Sequence, residues 1–171
     1  IGLSQALAKT DLTAEQREIL DLMQASGKTL QTLLSDILDL ARVESGKLEL
    51  TEDAFELATV VREAAQLYAE NAREKHLDFH VDIDLEDDVW ILGDAVRLKQ
   101  ILTNLISNAI KFTPDGEIIV RVRMKHDDIG QCLLHFSVQD SGIGLSGTDR
   151  KRLFESFSQG DASVTRQFGG T

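Results

Sequence analysis

The chain has 171 residues, of which 42% are hydrophobic and 27% charged, and a formal net charge of −11. That length supports one core of ordinary size plus an extra element. The acidic balance argues against nucleic acid as a partner, and no apolar run approaches the ~20 residues needed to span a bilayer.

The single cysteine, Cys132, excludes an internal disulfide and fits a reducing compartment. Its place in an alternating apolar run favours a buried structural thiol. Charge is uneven: residues 1–90 hold 20 acids against 8 bases, and residues 91–171 hold 9 acids against 10 bases. An anionic ligand would meet little repulsion in the second half. No signal peptide is visible and Ile1 is not a natural start, so upstream sequence is expected.

Ile1 to Lys9 reads as the last turns of a helix, broken by Thr10-Asp11-Leu12-Thr13. Thr13 and Gln16 have capping-box spacing, which predicts a second helix from about Ala14. Met23, Leu30 and Ile37 recur every seven residues. Ile19, Leu33 and Leu40 fill the intervening position, and Leu20, Leu34 and Ala41 widen the stripe. This is a bundle or coiled-coil seam. A helix of roughly thirty residues spans about 45 Å and cannot bury its stripe on the short stub before it. A second copy of the chain, giving a four-helix bundle, is the simplest partner.

Ser45-Gly46-Lys47 interrupts the pattern, and Leu48 to Phe55 looks extended, a linker between domains. The boundaries expected are 1–46 for a partial helical hairpin, 47–54 for the linker and 55–171 for a second domain. Leu57 to Lys75 returns to helical spacing. Leu77, Phe79, Val81 and Ile83 alternate with polar residues as an amphipathic strand, and Val89 to Leu92 is another short strand.

Gly93 to Gly116 follows. At about 100° per residue, Leu102, Leu105, Ile106, Ala109, Ile110 and Phe112 share one broad face; Gln100, Asn104, Asn108 and Lys111 share the opposite stripe. Asn costs helix propensity, so two of them followed by Lys at i+7 point to a polar wall facing something, against the alternative of an ordinary solvated face. Amide oxygens suit a hard cation such as Mg²⁺ and the Lys suits a phosphate. Thr113-Pro114-Asp115-Gly116 is a turn. Ile118, Val120, Val122 and Met124 form the inward face of one strand, and Cys132, Leu134, Phe136 and Val138 that of the next, joined hairpin-fashion through Asp127, Asp128 and Gly130. The second region is α/β, with helices over one face of a mainly antiparallel sheet. His76, His80, His126 and His135 read as surface residues without metal-ligand spacing.

Asp140-Ser141-Gly142-Ile143-Gly144 follows the last strand directly. Its glycines allow close backbone approach to a ligand, and its Asp can accept from an exocyclic amine such as adenine N6; a plain strand-to-loop turn is the alternative. Beyond Leu153-Phe154-Glu155-Ser156-Phe157, the polar stretch Ser158 to Gln167 and the ending Phe168-Gly169-Gly170-Thr171 suit a lid closing over phosphates.

Taken in order, these blocks resemble the core of a two-component sensor histidine kinase. GDAVRLKQILTNLISNAIKFT resembles the N box of that family, DSGIG its G1 box, FESF its F box, and SQGDASVTRQFGGT its ATP lid running into a G2 box. DILDLARVESGKLEL is similar to the end of the dimerisation helix and linker in hybrid-type members. The fold implied is α+β. A long dimerisation helix, part of the helical hairpin of a four-helix bundle, precedes an α/β sandwich ATP-binding domain of the Bergerat type, shared with gyrase, Hsp90 and MutL.

Matched residue by residue, the resemblance implies that Asn108 ligates Mg²⁺ and Asn104 helps shape the phosphate site. Lys111 would contact phosphate, and Asp140 would bind adenine N6. Gly142, Ile143 and Gly144 would line the nucleotide. Phe154 and Phe157 would position the lid, and Arg166, Gly169, Gly170 and Thr171 would complete the nucleotide-binding set. The cofactors implied are ATP and Mg²⁺. The partners implied are a second copy through the helical hairpin and a response-regulator receiver domain, attached or separate. The location implied is the cytoplasmic portion of a protein whose membrane anchoring the sequence leaves open.

ATP-hydrolysing relatives place a Glu general base at the first N-box position; here it is Asn104, and an amide cannot take a proton from water. That favours phosphoryl transfer to a separately supplied nucleophile. The family's phosphoacceptor histidine is absent from this chain and is expected roughly ten residues upstream of Ile1. Two competing classes are a non-catalytic dimeric nucleotide-binding regulator and an ATP-hydrolysing switch.

Overall fold

The computed structural model describes residues 2–85, 88–126, 129 and 131–144. Two compact units divide between Glu49 and Leu50. The first is a helical hairpin of α1 (Gly2–Leu7) and α2 (Ala14–Glu44). The expected capping box starts α2: Thr13 Oγ1 accepts from Gln16 N–H at 3.2 Å, and Gln16 Oε1 accepts from Thr13 N–H at 3.0 Å. Gln24 donates to Ser4 O across the hairpin. Leu20 is buried, whereas Ile19, Met23, Leu30, Leu34 and Ile37 of the seam are all more than half exposed.

Two helices end the same way with different residues. After α2, Lys47 N–H bonds Arg42 O and Gly46 N–H bonds Val43 O, with Gly46 at φ 64°. After α3 (Leu57–Glu74), Leu77 N–H bonds Ala72 O and His76 N–H bonds Arg73 O, with His76 at φ 58°. Both are Schellman motifs, and Ala72 and Leu77 supply the buried apolar pair that accompanies the second. Only the first has glycine at the left-handed position.

The second unit carries α3 and α4 (Ala95–Phe112) on one side of a three-stranded sheet of β2 (Asp78–Asp84), β4 (Glu117–His126) and β5 (Cys132–Asp140), in the order β2-β4-β5. A separate antiparallel ribbon pairs β1 (Asp53–Glu56) with β3 (Trp90–Gly93). The core is Leu57, Val61 and Ala64 of α3, Leu102, Ile106 and Ile110 of α4, and Ile118, Val120 and Val122 of β4. Each strand of the sheet contributes alternate residues, as its period-2 pattern requires.

Four expectations are corrected. The sheet is mixed rather than mainly antiparallel, because β2 pairs β4 in parallel and β4 pairs β5 antiparallel. β3 and α4 intervene between β2 and β4, long enough for a parallel crossover, and apolar alternation reads the same for either sense of pairing. Cys132 is exposed, not buried. It opposes His126 at the far end of the β4–β5 ladder, where His126 too is exposed. Leu105 is exposed, since the buried arc of α4 is the narrower set Leu102, Ile106, Ala109 and Ile110. Val81 is 40% exposed because β2 is the edge strand of its sheet. The four histidines are exposed as expected. The hairpin residues Asp127, Asp128 and Gly130 lie outside the described residues.

A non-glycine residue in the left-handed region is strained, and glycine there is not. His76→Gly is therefore expected to raise stability by roughly 0.5–1 kcal/mol, read as an increased urea midpoint at unchanged slope.

Candidate functional site

The site is built on α4 and on the loop that leaves β5. Asp94 caps α4 with Oδ1 accepting from Arg97 N–H at 2.9 Å, while Oδ2 accepts from Thr51 N–H at 3.2 Å. One carboxylate thus starts the helix and fastens to it the segment leading into β1. These bonds, that from Arg97 first and that from Thr51 second, hold the Asp94 carboxyl below its ordinary value. An Asp directly before a helix is a sequence signal for a cap, so this residue was findable.

At the other end, helix geometry leaves the last carbonyls without intrahelical partners, and tertiary groups take two of them. Lys75 Nζ, from the end of α3, donates to Ile110 O at 2.8 Å. Ile143 N–H, from the loop after β5, donates to Phe112 O at 3.3 Å. The contact with the loop is close: a Cβ on Gly142 would lie 2.4 Å from Phe112 O and 2.9 Å from Asp140 Oδ1. Gly144 has φ 66°, a conformation that favours glycine.

On the stripe facing away from the core, Asn104 and Asn108 are both exposed. Asn108 Nδ2 donates to Asn104 Oδ1 at 3.4 Å. That orientation leaves Asn108 Oδ1 to accept or ligate and Asn104 Nδ2 to donate. Lys111 is half-buried, with Nζ 5.2 Å from the centroid of the Phe112 ring. Asp140 is the last residue of β5, opposite Ile118, and its Oδ1 accepts from Gly142 N–H at 2.9 Å. The carboxylate is therefore held by its own loop, with Oδ2 left to meet a ligand. Amide oxygens plus a cationic side chain on one helix face, adjoining a carboxylate and bare backbone, can receive an anion with an associated cation on one side and a hydrogen-bonding base on the other.

The structure thus brings Asn104, Asn108 and Lys111 onto one stripe and joins the end of their helix to Asp140, Gly142, Ile143 and Gly144. Phe154, Phe157, Arg166, Gly169, Gly170 and Thr171 lie outside the described residues. Sequence reading missed Lys75, whose bond is purely tertiary, and Thr113, which is fully buried with no hydrogen-bond partner for its hydroxyl among the described residues.

Comparison with known proteins agrees with this geometry. Residues 93–171 match the histidine kinase-, DNA gyrase B- and HSP90-like ATPase family, and residues 1–46 match the His Kinase A (phospho-acceptor) domain. Together the two matches make a sensor histidine kinase core. Over all 171 residues it is 40% identical to hybrid signal transduction histidine kinase B of Dictyostelium discoideum, covering 9% of that protein. It is 39% identical to sensor histidine kinase GacS of Pseudomonas protegens, covering 19% of it. Full-length ShkA, crystallised with AMPPNP, superposes with a TM-score of 0.74 at 33% identity, over 96% of this chain and 34% of that one. The chain therefore spans less than a quarter of each of these two kinases. Among the described residues of this histidine kinase core, no helix is long and apolar enough to cross a membrane.

Two predictions follow from the ends of α4. Asp94 is depressed in the folded state, so its stabilisation is complete above an unfolded carboxyl value of about 4 and is lost as pH falls through its lower folded value. Asp94→Ala is expected to lower the thermal midpoint at neutral pH and to flatten the acid-side fall of stability below about pH 4, as followed by melting from pH 2 to 7. Thr113→Val removes a buried unpaired hydroxyl while keeping β-branching; it is expected to raise stability by about 1 kcal/mol in denaturant titration.

Proposed function

We propose that this chain is the ATP-binding catalytic core of a sensor histidine kinase, with Mg-ATP seated on α4 and against the Asp140–Gly144 loop. The observation that carries the reading is the junction at Phe112 O. It sets the Asn104–Asn108–Lys111 stripe and the Asp140 loop around the same helix end. In this reading Asp140 Oδ2 accepts from adenine N6 while Gly142, Ile143 and Gly144 lie along the base and sugar. Asn104 Nδ2 and Lys111 Nζ meet phosphate oxygens.

The donor set fits a magnesium ion. Asn108 Oδ1 is an uncharged oxygen turned away from Asn104, and Mg²⁺ in phosphate sites takes few protein ligands, with phosphates and water completing its shell. When bound, the ion would neutralise charge developing on the transferred phosphoryl group. The rest of the work belongs to side chains: Asp140 orients the base and Lys111 offsets phosphate charge. Asn104 offers no general base to water, which disfavours hydrolysis. The nucleophile would be a histidine nitrogen upstream of residue 1. It attacks the γ-phosphorus, the bond to the β–γ bridging oxygen breaks, and ADP leaves with that electron pair. The phosphoryl group would pass to a receiver-domain aspartate.

The domain boundaries proposed are 1–46, 47–54 and 55–171, the last two linker residues opening β1, and Phe157, Arg166, Gly169, Gly170 and Thr171 are proposed to complete the nucleotide-binding set. Dimerisation through the hairpin is supported by the phospho-acceptor domain match and by the exposed apolar seam of α2. Burying one such side chain contributes about 1.5–3 kcal/mol, so a handful of them outweighs the entropy of ordering the contact. The chain is read as a cytoplasmic portion, and the hybrid architecture of the Dictyostelium relative makes an attached receiver domain the arrangement proposed.

Calorimetric titration of ATP with and without Mg²⁺ tests the reading. Binding is expected to be stronger with the metal. Asn108→Ala is expected to lose most of that enhancement, roughly tenfold or more in affinity, and Asp140→Asn to weaken binding with or without metal. Metal-independent binding, or no binding by the parent, would overturn the assignment.

A further inference from the structure

The loop that carries Asp140 is pinned at two places, and one of the pins is a side chain. Ser141 starts where β5 ends. Its N–H donates to Glu117 O at 3.1 Å. Its hydroxyl accepts from Glu117 N–H at 2.9 Å and donates to Glu117 O at 3.3 Å. One hydroxyl therefore engages both peptide groups of the first residue of β4. The neighbouring residue has to be glycine for this to happen. A Cβ on Gly116 would lie 2.2 Å from Ser141 Oγ, and Gly116 has φ 115°. The short turn from Thr113 to Gly116 connects the end of α4 to that point, and Gly116 O in turn accepts from Asp78 N–H at 2.9 Å. Ser141 thus closes a ring. The ring runs from Phe112 through the turn to Glu117, across to Ser141, and back through Ile143 N–H to Phe112 O. Asp140 sits at its rim.

We propose that Ser141 is a positioning residue for the nucleotide base, acting through Asp140, with Gly116 as the bare residue its hydroxyl requires. The assignment rests on the nucleotide reading above. Without the hydroxyl the backbone bond from Ser141 N–H remains, so the strand pairing survives. What is lost is the lateral restraint that aims the Asp140 carboxylate. Ser141 is exposed, so its removal acts on aim more than on global stability.

The test compares Mg-ATP with Mg-ITP, whose base carries a carbonyl where adenine carries the amine. Both are titrated calorimetrically into the protein and into Ser141→Ala, Ser141→Thr and Gly116→Ala. Ser141→Ala is expected to weaken ATP about fivefold, the size of one hydrogen bond, with little change for ITP, so that the ATP preference narrows. Ser141→Thr, which keeps the hydroxyl, is expected to restore it, and Gly116→Ala, which displaces the hydroxyl, to narrow it again. Equal weakening of both nucleotides would mark a general loss of structure and overturn the positioning role, as would an unchanged preference in Ser141→Ala. Failure of the parent to bind ATP would overturn the nucleotide reading itself, and this assignment with it.

Discussion

The carbonyl of Phe112 is the point on which the second unit turns. A helix cannot satisfy its own last carbonyls. Here one of those orphan groups accepts Ile143 N–H, and its oxygen fills the space where a side chain on Gly142 would go. A loop anchored to a helix end in this way inherits the orientation of the helix. That orientation is set from both ends: by Asp94 at the start, and at the finish by Leu102, Ile106 and Ile110 packed against β4 and by Lys75 on Ile110 O. The distance between the polar stripe of α4 and Asp140 is therefore fixed by core packing, not by the loop alone.

This arrangement explains how α4 tolerates residues that suit a helix poorly. Two Asn residues and the β-branched Ile101, Ile106 and Ile110 lower its intrinsic propensity. Four of its apolar residues are buried in return, and burial of that kind outweighs propensity differences of a few tenths of a kcal/mol each. The polar stripe is thus free to be chosen for what it meets outside. The turn after α4 carries a cost of its own in Thr113, a buried hydroxyl with nothing to bond among the described residues.

Much of this was legible in the sequence, because local rules govern it. The Thr13–Gln16 box, the glycine after α2, the stripe of α4 and the alternation of β4 each depend on residues close in the chain, and each formed as read. What stayed hidden is tertiary. Parallel pairing of β2 with β4 leaves no mark on apolar alternation. Cys132 and Leu105 lie on apolar patterns but beyond the arc that packing covers. Lys75 and Ser141 find partners 35 and 24 residues away, and no spacing rule reaches that far. The Asn104–Asn108–Lys111 stripe was readable as unusual; that its helix ends against the Asp140 loop was not.

The same helical periodicity means opposite things in α2 and α4. In α4 the periodic residues Leu102, Ile106, Ala109 and Ile110 are inside and the informative residues are the polar ones left outside. In α2 the seam of Ile19, Met23, Leu30, Leu34 and Ile37 is itself outside. In the dimer proposed above, the stripe on this helix of 31 residues is matched to a surface of similar length. A second copy of the hairpin has that length and that pattern by construction. Isologous pairing would set each seam against its equal, and the heptad spacing of α2 is what such pairing requires.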